Sequence, residues 1–189
     1  METDQLLELL QHGNQLKQTA RAGWVQRGVP QAENVAAHSY GVIYAALLLA
    51  ELIDQPLDLA AVLIMATLHD LPEGLTTDIP TPAWRFLPKG SKEAAERAAL
   101  ATIFHETPFR DRFSAFWEQM RAGESPEARL VHDADKLDQF LQAYLYEQQT
   151  GNRRLDEFWI SPYRFHFRPA QAVYDELCRR RERPSLTAG

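Results

Sequence analysis

Cysteine is almost absent from this 189-residue chain, in which Cys178 is the only one. A single cysteine excludes an intrachain disulfide and any zinc site built from several thiolates. Long apolar runs are missing as well, because residues 42–53 form a run too short to span a bilayer. The first residues include early acids and no long apolar core, so we expect no secretory signal and no membrane contact. The cytoplasm is therefore the default compartment.

Positive charge is in deficit, since 20 lysine and arginine residues face 26 aspartate and glutamate residues, for a formal net charge of −6. A surface that binds nucleic acid needs clustered basic side chains for the phosphates, so we expect no nucleic-acid partner. The basic run at Arg179–Arg181 and Arg183 is better explained as favourable charge in the last turn of a helix. The length and the hydrophobic fraction of 45% predict one globular domain over residues 1–189.

Alternating strand patterns, repeats and low-complexity tracts are also lacking, and the segments between prolines have helical spacing. We therefore predict an all-α fold. The predicted helices cover residues 4–20, 34–53, 57–71, 91–106, 108–123, 126–149 and 169–183. Asn34 and Ser91 are predicted N-caps, and Pro126 suits the first position of the longest helix. Residues 23–34 and 78–90 are predicted loops, rich in turn-forming residues.

A histidine-aspartate pair, His69-Asp70, ends one of the apolar helical stretches. The face that it extends carries Leu59, Val62, Leu63 and Ala66. An unpaired buried carboxylate is costly, so Asp70 needs a counter-charge, a proton or a metal ion. Adjacent helical residues diverge by about 100°, so the pair can converge on one point best near a helix end. Pro72 lies two residues beyond and favours such an end.

A second histidine, His38, lies on a helical face with Val42, Ala45 and Leu49. A lone histidine on an apolar face is more often a hydrogen-bonded core residue than a metal ligand. Both interpretations stay open for His38 when it is considered by itself.

The longest predicted helix supplies further acids. Its apolar stripe consists of Leu130, Ala134, Leu137, Leu141 and Leu145. Asp135 and Asp138 lie three residues apart on an adjoining face, whereas Asp133 is predicted to point into solvent. An acidic cluster on a helix is usually a solvated face, so Asp135 alone is a weak candidate for a site.

Two imidazoles and two carboxylates together make a candidate metal site from His38, His69, Asp70 and Asp135. Nitrogen and oxygen donors suit Mn²⁺, Co²⁺, Fe²⁺, Zn²⁺ or Mg²⁺, and four protein ligands leave open positions on a six-coordinate ion. An ion with an open position can lower the pKa of a bound water and present it as a nucleophile. The residue types therefore indicate metal-assisted hydrolysis.

Two further acids follow the His-Asp pair. Glu73 lies four residues after His69, and Asp78 lies in the next predicted loop. Both could exchange protons beside the metal or hold a second ion. As caps of a helix or loop they would have a purely structural role, and the sequence leaves the two interpretations equal.

The order His, His-Asp, Asp resembles the HD-domain superfamily of metal-dependent phosphohydrolases. Residues 20–39, 68–86 and 131–139 resemble the corresponding stretches of its 5′-deoxynucleotidase branch, within a similarity that covers about residues 6–173. This resemblance implies an all-helical HD domain with a core over those residues and a C-terminal helix to about residue 183. It also implies a homodimer that hydrolyses deoxyribonucleoside 5′-monophosphates to nucleoside and phosphate by attack of a metal-bound water.

The resemblance assigns roles residue by residue. His38, His69, Asp70 and Asp135 match the metal ligands of the family. Glu73 and Asp78 match the acids near the attacking water or a second cation.

The resemblance also implies the substrate contacts. Asp78, Pro80 and Thr81 match the loop that lies against the substrate. Arg21 and Trp24 match an arginine-tryptophan pair placed against phosphate and sugar, although the two are separated here by Ala22-Gly23. This spacing agrees with the human-type proteins of the branch and differs from the adjacent pair of the bacterial enzyme.

Two other functions compete with the phosphohydrolase. An HD-fold di-iron oxygenase would need extra histidine ligands, for which only His105 and His132 lie between the His-Asp pair and Asp135. Neither belongs to a recognisable ligand motif, so we favour the hydrolase. A non-catalytic nucleotide-binding regulatory module is the second alternative, and the presence of all matched ligands and acids argues against it.

Overall fold

Helices make up the ordered architecture of the computed structural model, which describes residues 1–80, 83 and 86–182. The helices are α1 (Thr3–Gln15), α2 (Ala22–Gln26), α3 (Val35–Ala50), α4 (Leu59–Leu68), α5 (Glu73–Thr76), α6 (Ser91–Ile103), α7 (Arg110–Ala122), α8 (Pro126–Thr150) and α9 (Arg168–Glu182). A 3-10 helix covers Arg153–Trp159. Extended pairing in these residues is confined to one isolated antiparallel bridge, Ala20 with Asn34. The all-α prediction is confirmed.

Local capping determines where the two central helices begin. The Asn34 side chain accepts a hydrogen bond from the Ala37 amide at 2.9 Å, and α3 begins directly after it. The Ser125 hydroxyl accepts from the Ala128 amide at 3.1 Å, with Pro126 in the first turn of α8. Both starts agree with the sequence prediction, because a cap depends on neighbours within one turn.

The core lies where α3, α4, α7 and α8 pack together. Fully buried side chains at its centre include Val42, Val62, Met65, Trp117 and Leu130. Burial of each such side chain contributes roughly 1.5–3 kcal/mol. A smaller apolar cluster around Trp24, Tyr146 and Leu155 holds α2 against the second half of α8. Within the described ranges, no helix is both long and apolar enough to cross a bilayer, and the cytoplasmic location stays a prediction.

Several predicted boundaries are wrong by a few residues. The first helix ends at Gln15 instead of residue 20, the supposed loop 23–34 begins inside the short α2, and α4 ends at Leu68. The N-cap of α6 is Gly90 instead of Ser91. Gly90 has a φ of 85°, which glycine adopts without the steric cost of a Cβ atom. The predicted loop 78–90 lies partly outside the described residues.

The apolar stripe predicted for α8 is only half buried. Its first part, up to Leu137, lies in the core, but Leu141 is 42% exposed and Leu145 is 38% exposed. In the second half of α8, Phe140 and Ala143 are buried instead. The 3-10 helix and α9 pack on the face of α8 that carries these two residues, and not on the face that carries Leu141 and Leu145.

The prediction that Asp133 is solvated is also wrong, because its side chain is completely buried. It accepts hydrogen bonds from the His166 amide at 3.1 Å, the His166 Nδ1 at 2.9 Å and the Phe167 amide at 2.9 Å. These donors precede α9 and lie more than 30 residues away, so the helical period of α8 gives no sign of them. Asp133 thereby joins α8 to the segment that leads into α9.

Candidate metal centre and active site

Four predicted ligands converge where α3, α4 and α8 meet. The Nε2 atoms of His38 and His69 are 3.4 Å apart. Asp70 Oδ2 lies 3.3 Å from the His69 nitrogen and 3.6 Å from the His38 nitrogen. Asp135 Oδ1 lies 3.3 Å from His38 Nε2. The fold therefore brings together all four residues that the sequence nominated.

Each ligand is placed by its helix. His38 lies one turn into α3, Asp135 lies in the third turn of α8, and His69-Asp70 follow directly after α4. His69 is the C-cap of α4 and keeps helical backbone angles, yet Asp70 Oδ2 still lies 3.3 Å from His69 Nε2, so the two adjacent side chains face one point. The convergence expected at a helix end is thus present.

The donor set fits a divalent ion. Bonds to nitrogen and oxygen of about 2.0–2.2 Å place neighbouring donors of one ion about 3 Å apart, close to the distances found here. Atoms from His38, His69 and Asp135 lie within 4.8 Å of one another. Two imidazoles and two carboxylates are a suitable set for several first-row metals and Mg²⁺.

Hydrogen bonds fix the orientation of both imidazoles. His69 Nδ1 donates to the Ala66 carbonyl oxygen at 2.7 Å, and His38 Nδ1 lies 2.7 Å from Asp138 Oδ2. Each Nδ1 is thereby used, and each Nε2 is directed at the shared point. This is the usual arrangement of a metal-ligating histidine, whose other nitrogen is held by a carboxylate or carbonyl.

The electrostatics of the four residues favour a cation. Burial opposes a charge on His38, but hydrogen bonds to Asp135 and Asp138 outweigh it and raise the His38 pKa to about 10. Burial likewise opposes ionisation of Asp70, yet His69, His38 and Arg21 hold its pKa below the usual range. In the absence of metal, a proton on His38 balances part of this carboxylate charge, and a divalent ion could replace it.

A pocket of about 320 Å³ opens beside the four ligands. Its walls include the acids Asp70, Glu73, Asp78 and Asp135 and the cations Arg21, Arg27, Lys92, Arg121 and Lys136. The remaining lining is Gly23, Trp24, Ile79, Pro80, Gln139 and Phe158. Such a mixture of charges suits an anionic ligand that also binds a cation.

Glu73 is an acid of the pocket wall whose pKa is strongly raised. Its side chain is buried, and among the described residues its Oε2 has no hydrogen-bond partner. Burial, together with the charges of Asp70 and Asp78, raises the Glu73 pKa to about 9, and Lys92 opposes this rise. An unpaired buried carboxyl oxygen in a pocket wall is available to a ligand or a water.

Arg21 and Asp78 are linked through the start of α2. Arg21 is the N-cap of α2, and its Nη1 lies 3.5 Å from Asp70 Oδ2. Asp78 Oδ2 accepts a hydrogen bond from the Ala22 amide at 2.8 Å. Both side chains line the pocket, and Asp78 also caps the first turn of α2, while their roles toward a substrate stay predictions.

Trp24 is both a core residue and a pocket residue. Its side chain is almost fully buried, its Nε1 donates to Glu33 Oε1 at 2.9 Å, and its ring packs on Tyr146 and Phe158. It also lines the pocket, as does Pro80. Thr81, the remaining predicted substrate residue, lies outside the described residues.

Sequence reasoning missed several pocket residues. Lys136 and Gln139 could have been found, because they follow Asp135 by one position and by one turn, and Lys136 Nζ donates to Gln139 Oε1 at 3.1 Å. Arg27, Lys92 and Phe158 come from other elements. No local pattern indicates that these three side chains meet at the site.

The histidines required by an oxygenase lie elsewhere. The His105 side chain is 67% exposed, and His132 packs against Gly123 at the end of α7. Within the part of the chain described, neither belongs to a cluster of potential metal ligands.

A helical bundle that directs two imidazoles and two carboxylates at one point beside a charged pocket defines a metal-binding protein of the HD type. Residues 13–164 match the family model described as HD domain. The chain belongs to the HD-domain family, and the resemblance predicted from its motifs is confirmed.

The chain is also similar to relatives named 5′-deoxynucleotidase and to a solved structure. It is 30% identical over 190 residues to the 5′-deoxynucleotidase HDDC2 of Danio rerio, an alignment that covers 98% of this chain and 92% of the relative. It is 32% identical over 159 residues to the Homo sapiens 5′-deoxynucleotidase HDDC2, covering 82% and 76% of the two chains. A solved structure of a conserved hypothetical protein from Pyrococcus furiosus matches with a TM-score of 0.80 and 33% identity, covering 92% and 99%.

Proposed function

We propose that the chain is a metal-dependent phosphohydrolase that converts deoxyribonucleoside 5′-monophosphates to nucleoside and phosphate. The observation that carries this proposal is the convergence of His38, His69, Asp70 and Asp135 beside a pocket with an arginine and an orphaned carboxyl oxygen. The names of the Danio rerio and Homo sapiens relatives support the choice of substrate.

The four converging residues hold a divalent ion in this proposal. When bound, such an ion supplies Lewis acidity toward the phosphoryl group and lowers the pKa of a coordinated water. The donor types suit Mn²⁺, Co²⁺, Fe²⁺, Zn²⁺ or Mg²⁺. Among the described residues, the clusters of potential ligands omit Glu73, Asp78 and Asp70, but of these three only Asp70 has a carboxylate oxygen within 3.6 Å of both imidazole Nε2 atoms. We therefore assign Glu73 and Asp78 to water and substrate in preference to a second ion.

The surrounding residues bind the phosphate and direct the proton. Arg21 offers a planar fork of N–H donors, which suits two oxygens of one phosphate. Glu73 would accept a proton from the attacking water once a bound cation, in addition to Lys92, offsets the burial and the neighbouring acids that raise its pKa. Asp78 holds the start of α2 and thereby the position of Arg21. Trp24 offers its ring to the sugar, and Pro80 and Thr81 belong to the loop assigned to the substrate.

The decisive experiment is a phosphate-release screen over all deoxyribo- and ribonucleoside monophosphates with Mn²⁺ or Co²⁺. We expect release from deoxyribonucleotides, and its loss in Asp70→Ala and in Asp135→Ala. Asp54→Ala, at an exposed position, is the matched control and should retain activity. Undiminished activity in both site variants would contradict the ligand assignment. Tight nucleotide binding without any release would favour a regulatory module.

We also propose that the protein acts as a homodimer. The support is the solvent face of α3, where four large apolar side chains, Tyr40, Tyr44, Leu47 and Leu48, are exposed. The two tyrosine rings stack with centroids 6.2 Å apart. A contiguous apolar face of this kind favours association with a second copy. Sedimentation equilibrium should give a dimer for the wild type and a monomer for Tyr44→Asp/Leu48→Asp, and a monomeric wild type would contradict the proposal.

A further inference from the structure

His38 is held differently from the other ligating histidine. The Nδ1 of His69 donates to a main-chain carbonyl of its own helix, whereas the Nδ1 of His38 relies on the Asp138 side chain, which α8 supplies. The His38 ring is fully buried, so water cannot replace that contact. An ionised carboxylate is an acceptor only, so Asp138 keeps a proton on Nδ1, and Nε2 is the nitrogen left to face the metal site once a bound ion displaces its proton.

Asp138 has this position because a glycine lies opposite it. Gly41 is within α3, three residues after His38, and a Cβ atom at Gly41 would overlap Asp138 Oδ1 and lie 2.7 Å from its Cγ. A glycine inside a helix lowers the stability of the protein relative to alanine. The close approach of the Asp138 carboxylate explains why Gly41 occupies this position despite that loss of stability. The Asp138 carboxylate occupies the space that the missing side chain leaves.

Glu33, the other acid nearby, does not compete for the same role. Its carboxylate lies within 4.8 Å of His38 and Asp138, but its Oε1 accepts the indole N–H of Trp24 at 2.9 Å. The shortest contact of the His38 Nδ1 is with Asp138, at 2.7 Å.

We propose that Asp138, seated in the space left by Gly41, is a positioning residue that fixes the His38 ring with its Nε2 directed at the metal site. This inference rests on the proposed metal site and concerns a residue that touches neither metal nor substrate. Partners of this kind typically affect metal affinity 10- to 100-fold, because a ligand that must be reoriented binds less tightly.

The test measures Mn²⁺ binding to the metal-free full-length protein by equilibrium dialysis, with no turnover involved. We expect Asp138→Ala to weaken binding about 10- to 100-fold. Asp138→Asn should have an intermediate Mn²⁺ affinity. Its amide oxygen can still accept a hydrogen bond from His38 Nδ1, but its N–H₂ group can instead donate to Nδ1, which favours the tautomer with the proton on Nε2. Asp133→Asn is the matched control, a buried carboxylate of the same helix with other partners. It should lower the melting temperature while leaving Mn²⁺ affinity within about threefold.

Gly41 allows a second, independent test. In Gly41→Ala the new methyl group displaces the carboxylate, and the side chain of Asp138 can turn away without separating the two helices. We expect Mn²⁺ binding to weaken as in Asp138→Ala, and the double variant Gly41→Ala/Asp138→Ala to bind no more weakly than Asp138→Ala alone. Gly13→Ala, where an added Cβ meets nothing within 4 Å, should leave binding unchanged.

The outcomes separate this inference from the proposed function. If the wild type binds Mn²⁺ and Asp138→Ala binds it equally well, the positioning role is overturned while the metal site stands. If Gly41→Ala weakens binding equally with and without Asp138, its effect does not pass through Asp138 and the inference is again wrong. A wild type without Mn²⁺ affinity overturns both.

Discussion

The Lys92 ammonium lies 3.6 Å from Oε1 of Glu73, but its closer partner is Glu96, at 3.0 Å. Lys92 therefore offsets only part of the cost of ionising Glu73. Burial and the neighbouring Asp70 and Asp78 dominate, and they raise the Glu73 pKa to about 9. In the metal-free protein Glu73 is consequently protonated at neutral pH.

This protonation predicts a pH dependence of stability. Unfolded chains release the Glu73 proton near pH 4.5 and the folded protein near pH 9, so the folded state holds the extra proton between these values. The stability of the wild type should therefore fall as pH rises through this window. The side chain introduced by Glu73→Gln stays neutral at every pH. The free energy of unfolding of this variant, relative to that of the wild type, should therefore increase by on the order of 2–4 kcal/mol between pH 5 and pH 8. Urea titrations with EDTA would measure this, and a constant difference would contradict it.

Replacement of Arg21 tests the phosphate contact. Arg21→Lys keeps the positive charge but loses the planar fork, so we expect kcat/KM for phosphate release to fall about 10-fold or more. Arg97→Lys, at a surface position paired with Glu118, serves as the control and should have wild-type kinetics. Equal kcat/KM in Arg21→Lys and wild type would show that the guanidinium does not hold the phosphate.

Asp133 should be important for stability. Asp133→Ala leaves two backbone amides and the His166 ring without their acceptor, and a buried donor left without a partner costs about 1–3 kcal/mol. We expect a decrease of this size in the free energy of unfolding from urea denaturation. Asp54→Asn, on the surface, should change it by less than about 0.5 kcal/mol, and a similarly small change in Asp133→Ala would disprove the structural role.

Metal should stabilise the fold in proportion to its binding. At a Mn²⁺ concentration 100 times the dissociation constant, we expect a gain of about 2.7 kcal/mol in the free energy of unfolding. The gain should vanish in Asp135→Ala, because this variant lacks the ligand that α8 contributes to an ion also bound by residues of α3 and of the end of α4. Thermal unfolding of each protein with Mn²⁺ and with EDTA provides the comparison, and an equal gain in the variant would place the ion elsewhere.

The three aspartates of α8 show how far the sequence can be interpreted. Asp135 was predicted to belong to the site, Asp138 was placed on the same side without a role, and Asp133 was predicted to face solvent. Helical period gives the angle of each side chain, but α8 is covered by α3, α4, α7 and α9, so several of its faces are buried. The face of α8 that stays exposed to solvent is determined by helices that are distant in sequence.

Local signals gave two correct helix starts, whereas the predicted cap Ser91 is wrong by one residue. Asn34 and Pro126 mark the starts of α3 and α8 because capping involves residues within one turn. The four candidate ligands were proposed from their residue types and order, and the fold brings them together. Lys92 and Arg27 could not be predicted as pocket residues, because only the packing of distant segments brings them to the pocket.

The hydrogen bond from the Ala22 amide to Asp78 joins two segments 56 residues apart at the rim of the pocket. Because this amide has a side-chain acceptor, any excursion that separates residues 78–80 from the start of α2 would leave it open to deuterium. The hydrogen–deuterium exchange rate of the Ala22 amide therefore measures how often the pocket opens. The same excursion would move Arg21 with α2, so the rate of deuterium uptake at this single amide would also report how often the proposed phosphate contact is lost.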